Sequence, residues 1–251
     1  EEVASAITEQ GKMTEEIQKA LDAAATLTEV EDIYRPYKQK KKTRAGVAIE
    51  RGLQPLAEFL LAQDKSADVC AEAAKYVDEE KGVATAEDAL AGAKDIIAEI
   101  VSDDANVRRK IRNLFMKNGE LVTRLTDAEK EGARTYEMYA DHSEPVGEIK
   151  SHRVLAINRG EKEGFLRVKI AVNEDVAKRI AGVGYLKDGG ESTRLVREAV
   201  EDGCDRLLFP SVEREIRANL TEAASEQAIR MFEVPYGLQD RGRGRHGQGA
   251  G

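Results

Sequence analysis

Leu27-Thr28-Glu29-Val30-Glu31-Asp32-Ile33-Tyr34-Arg35-Pro36-Tyr37-Lys38-Gln39-Lys40-Lys41-Lys42-Thr43-Arg44 joins a helix end, a basic loop and a helix start in one short run. Upstream, Ile17, Leu21, Ala24, Leu27, Val30 and Tyr34 recur every three or four residues. That spacing predicts one helix over 14–34 with a single apolar face. Thr14 is its expected N-cap, followed by Glu15 and Glu16 where a helix start favours negative charge. Gly11 separates it from a first helix over 1–10. Pro36 biases Arg35 out of the helical region and ends the helix. A short helix over 43–51 follows, stopped by Gly52, and Pro55 suits the first turn of the next, to about Ala62. This spacing permits a helix-turn-helix arrangement, a weak signal in any helical domain.

The remaining chain reads as helices over 66–77, from a Thr85 cap to about residue 101, 104–118, 128–139 and 152–159, then two or three more over 175–231. Two segments alternate instead, 120–125 and 165–172, and predict a two-stranded pair. The fold class is therefore mainly α, with a small β element. No internal repeat stands out.

Composition agrees. Of 251 residues, 34% are charged and only 5% aromatic, with no Trp. A formal net charge of -8 makes general nucleic-acid binding by the whole surface a poor expectation, so any such contact must be local. Cys70 and Cys204 lie too far apart for a metal-finger spacing and read as reduced thiols of a cytoplasmic protein. No apolar run approaches the ~20 residues of a membrane span. No membrane partner and no cofactor are expected.

Candidate chemistry is thin. His142, His152 and His246 have no second ligand at a metal spacing and read as surface or capping residues. Gly182-Val183-Gly184 and Gly189-Gly190 lack the strand and the Lys-Ser/Thr of a phosphate loop. Asp103-Asp104 sits where a helix start favours acids. No catalytic constellation emerges, and an enzyme is not expected.

Three basic groups remain. The first is Arg35, Lys38, Lys40, Lys41, Lys42 and Arg44, with no acid between its ends, in an interhelical loop that can converge on a phosphate track. The second is Arg108, Arg109, Lys110 and Arg112 on a helix, more often a solvated face. The third is Arg153 with Arg159, beside His152, on the helix before the better strand. From Gln239 to Gly251 the sequence is rich in Gly and Arg and expected to be disordered, either touching RNA or without a role.

The 27–44 run resembles a signature of the bacterial Tex family, the transcription accessory proteins. Further blocks agree in order: Gly52-Leu53-Gln54-Pro55-Leu56-Ala57, Ala89-Leu90-Ala91-Gly92-Ala93-Lys94-Asp95-Ile96-Ile97-Ala98-Glu99, and Ser151-His152-Arg153-Val154-Leu155-Ala156-Ile157-Asn158-Arg159-Gly160-Glu161. The likeness extends from Glu1 to about Met231. It implies a helical N-terminal region with a helix-turn-helix-like module, ahead of an RNase-H-like domain, helix-hairpin-helix modules and an S1 RNA-binding domain. It also implies nucleic-acid binding, chiefly through the S1 domain, and a link to the transcription machinery. Residues 232–251 depart from the family pattern. With no initiator Met, this reads as a fragment, truncated or frame-shifted before the RNase-H-like domain.

Two functional classes follow. One is a nucleic-acid-binding accessory module, for RNA or DNA. The other is a helical scaffold for further domains or a protein partner, with no nucleic-acid affinity of its own. Apolar faces left exposed would favour self-association.

Overall fold

The computed structural model describes residues Glu1–Glu233. In chain order its elements are α1 (Glu2–Glu9), α2 (Glu15–Ala23), α3 (Leu27–Tyr34), α4 (Arg44–Glu50), α5 (Gln54–Ala62), α6 (Val69–Ala74), α7 (Ala86–Asp103) and α8 (Ala105–Asn118). There follow β1 (Glu120–Leu125), β2 (Asp141–Pro145), α9 (Ser151–Lys162), β3 (Leu166–Ala171), α10 (Glu174–Gly182), α11 (Glu191–Gly203) and α12 (Phe209–Glu233). The fold is mainly α, as the periodicity predicts. The Gly/Arg-rich segment lies outside the described residues, while Phe232 and Glu233 belong to α12. The chain forms two compact units, Glu1–Phe115 with Val172–Val212, and Met116–Ala171 with the described part of the chain after Val212.

In the first unit α7 is central, packed by α4, α5, α6 and α11. Its buried face is Ala89, Ala93, Ile96, Ile97, Ala98 and Val101. The alanines let other helices come close. Opposite Ala98 stands Gly203 of α11, where a Cβ would lie 2.7 Å from the Ala98 carbonyl oxygen. Leu53, Leu56 and Leu60 fill the α5 side, each worth roughly 1.5–3 kcal/mol on burial.

Local chemistry decides the element ends. Thr26 accepts from the Glu29 amide while the Glu29 carboxylate accepts from the Thr26 amide, a capping box. This box divides the single helix expected over 14–34 into α2 and α3. Gly52 takes a φ of +79°, the left-handed state that stops α4. The helix expected over 66–77 is only α6, because Asp68 caps it late and turns surround it. Asp104 starts α8, its carboxylate accepting from the Asn106 and Val107 amides. Asp103 closes α7 instead.

The second unit holds an antiparallel sheet of order β2-β1-β3. The expected pair of strands is present, and β2 joins it as a third. The helix expected over 128–139 is a loop and a 3-10 segment, Ala133–Tyr139, entered through Gly132 at φ 92°. Ser151 does not cap α9; its hydroxyl bonds Gln227 Oε1. Leu121, Tyr136, Tyr139, Val154, Ile157, Leu166, Ile170 and Ile216 are buried in this unit. Glu213 accepts from the Ile170 amide at 3.0 Å, which satisfies a donor of the edge strand β3.

Candidate nucleic-acid interface

After α3 the chain makes a single 3-10 turn, Arg35–Tyr37, fixed by Pro36, and then a loop that the Thr43 cap closes onto α4. This loop is short, and its cations point two ways. Arg35 Nε donates to Asp103 Oδ1 at 3.0 Å, and its Nη2 donates to Ser211 Oγ at 3.3 Å. Lys40 Nζ is bound by Asp103 Oδ2 and by Glu99 Oε1 at 3.2 Å. The Asp103 side chain is 8% exposed, so the end of α7 presents a buried carboxylate to two cations of the run.

A second centre lies alongside. Asp32 of α3 accepts from Arg108 Nε at 3.0 Å and from Arg112 Nη2 at 2.8 Å. Arg108 also donates to the Ser102 carbonyl at 3.3 Å and to Ser211 Oγ at 3.1 Å. Ser211 thus accepts from both Arg35 and Arg108 and links the two carboxylates. Buried charges stay charged only with partners and satisfied hydrogen bonds, and this network supplies both.

Lys38, Lys41, Lys42 and Arg44 are exposed. Lys38, Lys41 and Lys42 make no ion pair with a described residue. Burial lifts the Asp95 carboxyl above its ordinary value, and Arg206 and then Arg44 partly oppose it. Pro36, Lys38, Lys40, Lys41, Lys42, Thr43 and Gly46 line a shallow groove, with Glu50 and Glu99 also on it. Ammonium groups on flexible stems over a braced backbone can follow a line of phosphates, each acting as a point charge.

The other basic groups are placed differently. Arg108 is 2% exposed and Arg112 half-buried against Asp32, so both face the protein. Arg109 is exposed and donates to Asn106 Oδ1 at 2.9 Å. In the second unit Arg153 donates to Glu144 Oε1 at 2.7 Å, and Arg159 donates to Glu163 Oε1 at 2.8 Å. Burial alone would raise the Glu144 carboxyl, but Arg153 and His142 outweigh it and hold it below its ordinary value. Arg159 and the Tyr136 hydroxyl do the same for Glu163. Among the described residues no three His, Cys, Asp or Glu side chains gather as a metal site would need.

Sequence reasoning missed Asp32, Asp103 and Ser211, the groups that sort the cations. For Asp103 a signal existed: it lies seven residues beyond the buried Ile96, on the same face of α7.

Residues 64–232 match the family model described as Tex central region-like. The chain is 43% identical over 234 residues to the uncharacterized protein YdcI of Bacillus subtilis, covering 92% of this chain and 32% of that protein. It is 34% identical over 239 residues to the transcriptional accessory protein Tex of Neisseria gonorrhoeae, covering 92% of this chain and 31% of that protein. To the human S1 RNA-binding domain-containing protein 1 it is 27% identical over 242 residues, covering 90% of this chain and 24% of that protein. The chain thus spans about a third of the length of the bacterial relatives it matches. With the family model matching most of its length, the chain belongs to the Tex family.

Proposed function

We propose that this chain is a non-catalytic, nucleic-acid-binding accessory module of a cytoplasmic Tex-like transcription protein, contacting RNA or DNA phosphates through the 38–44 loop. The observation that carries the reading is the division of the basic run. Arg35 and Lys40 are bound to the Asp103 carboxylate, while Lys38, Lys41 and Lys42 are exposed and form no ion pair with a described residue. The inner pair braces the loop, which lowers the entropy lost when the outer lysines meet a ligand. The loop leads straight into α4, and α4 with α5 is the candidate helix-turn-helix-like module. The names of two relatives, a transcriptional accessory protein and an S1 RNA-binding domain-containing protein, support a role beside nucleic acid and the transcription machinery.

A titration of labelled single-stranded RNA and duplex DNA at two salt concentrations tests this. Binding should weaken steeply with salt, by about 0.9 in log–log slope per duplex phosphate neutralised. No binding at low salt would favour the second reading, a helical scaffold without nucleic-acid affinity. That reading has its own support in exposed apolar side chains, Leu27 at 75%, Ile49 at 50% and Phe232 at 79%. It predicts self-association or a protein partner on those faces.

A further inference from the structure

We infer that the open face of the three-stranded sheet is a second, sequence-independent binding surface for a nucleic-acid phosphate backbone. The register places Arg124 of β1 directly opposite Arg167 of β3, and Val122 directly opposite Lys169. Side chains two apart on a strand share a face, so Arg124, Arg167 and Lys169 stand together on one side of the sheet. Burial alternates accordingly. Arg124, Arg167 and Lys169 are exposed, while Leu121, Thr123, Leu166 and Ile170 of the opposite face are buried.

Directly opposite residues of an antiparallel pair hold their Cβ atoms about 5 Å apart, and like charges there repel. The nearest acids across the other pairing are Asp141, opposite Arg124, and Glu120, which accepts a hydrogen bond from the Ser143 hydroxyl. Neither forms an ion pair with Arg124, Arg167 or Lys169. The fold therefore keeps three cations side by side on one exposed face, none of them in an ion pair with a described residue and with Asp141 and Glu120 beside them, in a chain of net charge -8. An external polyanion relieves that repulsion.

The same face carries Glu120, Val122, Asp141, Ser143, Pro145 and Ala171, and no aromatic ring among its strand residues. Bases have nothing to stack on, so the contact is with phosphates alone and carries no base preference. The three residues are distinct from the 38–44 loop, so this surface deepens the proposed function without depending on the loop.

The test uses the full chain with labelled poly(U) and a mixed-sequence duplex DNA, at low and moderate salt. The variant Arg124→Ala/Arg167→Ala/Lys169→Ala should bind about tenfold or more weakly at low salt, with a log–log salt slope smaller by about 2. Its thermal melting should match the parent or rise, since repulsion is relieved. Glu120→Gln removes an acid from the face and should tighten binding roughly twofold. Unchanged affinity and slope in the triple variant, while the parent binds, overturns this surface and leaves the loop reading intact. Loss in the triple variant but not in a Lys38→Ala/Lys41→Ala/Lys42→Ala variant upholds this surface and removes the loop. If phosphatidylserine vesicles bind the parent and lose the triple variant while poly(U) does not, the face is a lipid site and the proposal fails.

Discussion

Arg108 Nε lies 3.0 Å from Asp32 Oδ1, and the two side chains are 3% and 8% exposed. A guanidinium on a helix that reads as basic from sequence is thus an internal counter-charge to a carboxylate 76 residues earlier. The pair ties α3, and with it the start of the basic loop, to α8.

Asp32→Ala removes the buried carboxylate that accepts from Arg108 and Arg112, the costly way to break such a pair. It should destabilise the chain by roughly 3–5 kcal/mol in urea unfolding. Asp32→Leu combined with Arg108→Met removes both members of this most buried pair, Arg112 being the more exposed partner of Asp32, and should cost markedly less. Equal losses from the single and double variants would contradict the pairing as the reason.

Gly203→Ala opposes two effects. Alanine gains up to about 1 kcal/mol of helix propensity. Its Cβ, however, would sit 2.7 Å from the backbone oxygen of Ala98, which cannot move without shifting α7. The close contact should win, with a net loss of roughly 1–3 kcal/mol and a lower Tm.

In the second unit, Glu144 gives a pH signature. Its folded carboxyl lies below the ordinary value, so it binds protons less readily than in the unfolded chain. The stability it adds is fully present above the ordinary value and is lost as pH falls through the folded one. Tm of the parent should therefore drop through the acid range more steeply than that of Glu144→Gln. Parallel curves would sink this assignment.

The two cysteines should separate by reactivity. Cys70 is exposed and Cys204 is buried, its thiol pushed up to about 12 mainly by burial, with Asp205 adding to it. A thiol reagent near neutral pH should modify one cysteine per chain at once and the second only after denaturant, because the thiolate is the reactive form.

What the sequence reveals follows from the range of each interaction. The stop at Gly52 and the start of α5 near Pro55 are local and legible, whereas Pro36 does not push Arg35 out of the helical region: Arg35 keeps φ -50° and ψ -44°, and α3 passes into a 3-10 turn. Equally legible are β1 and β3, which alternate along the strand with Leu121, Leu166 and Ile170 inward. β2 was hidden because its inward positions are His142 and Glu144, where an apolar pattern would be sought. Residues 128–139 misled through the helical spacing of Tyr136 and Tyr139, which a 3-10 segment also brings to one side. The basic run was visible, but its division was not. That depends on Asp103, 68 residues from Arg35, and on Ser211, 176 residues away.

That division is the centre of the account, and one comparison measures it: the binding of single-stranded RNA and duplex DNA by Arg35→Ala beside Lys38→Ala/Lys41→Ala/Lys42→Ala, each with its melting curve. The lysine variant should keep the parent Tm, bind several-fold more weakly and show a salt slope smaller by about 2. Arg35→Ala should lower Tm, because it leaves Asp103 with only Lys40 of the run. A lysine variant that melts early, or one that binds as the parent does while Arg35→Ala melts normally, would contradict it.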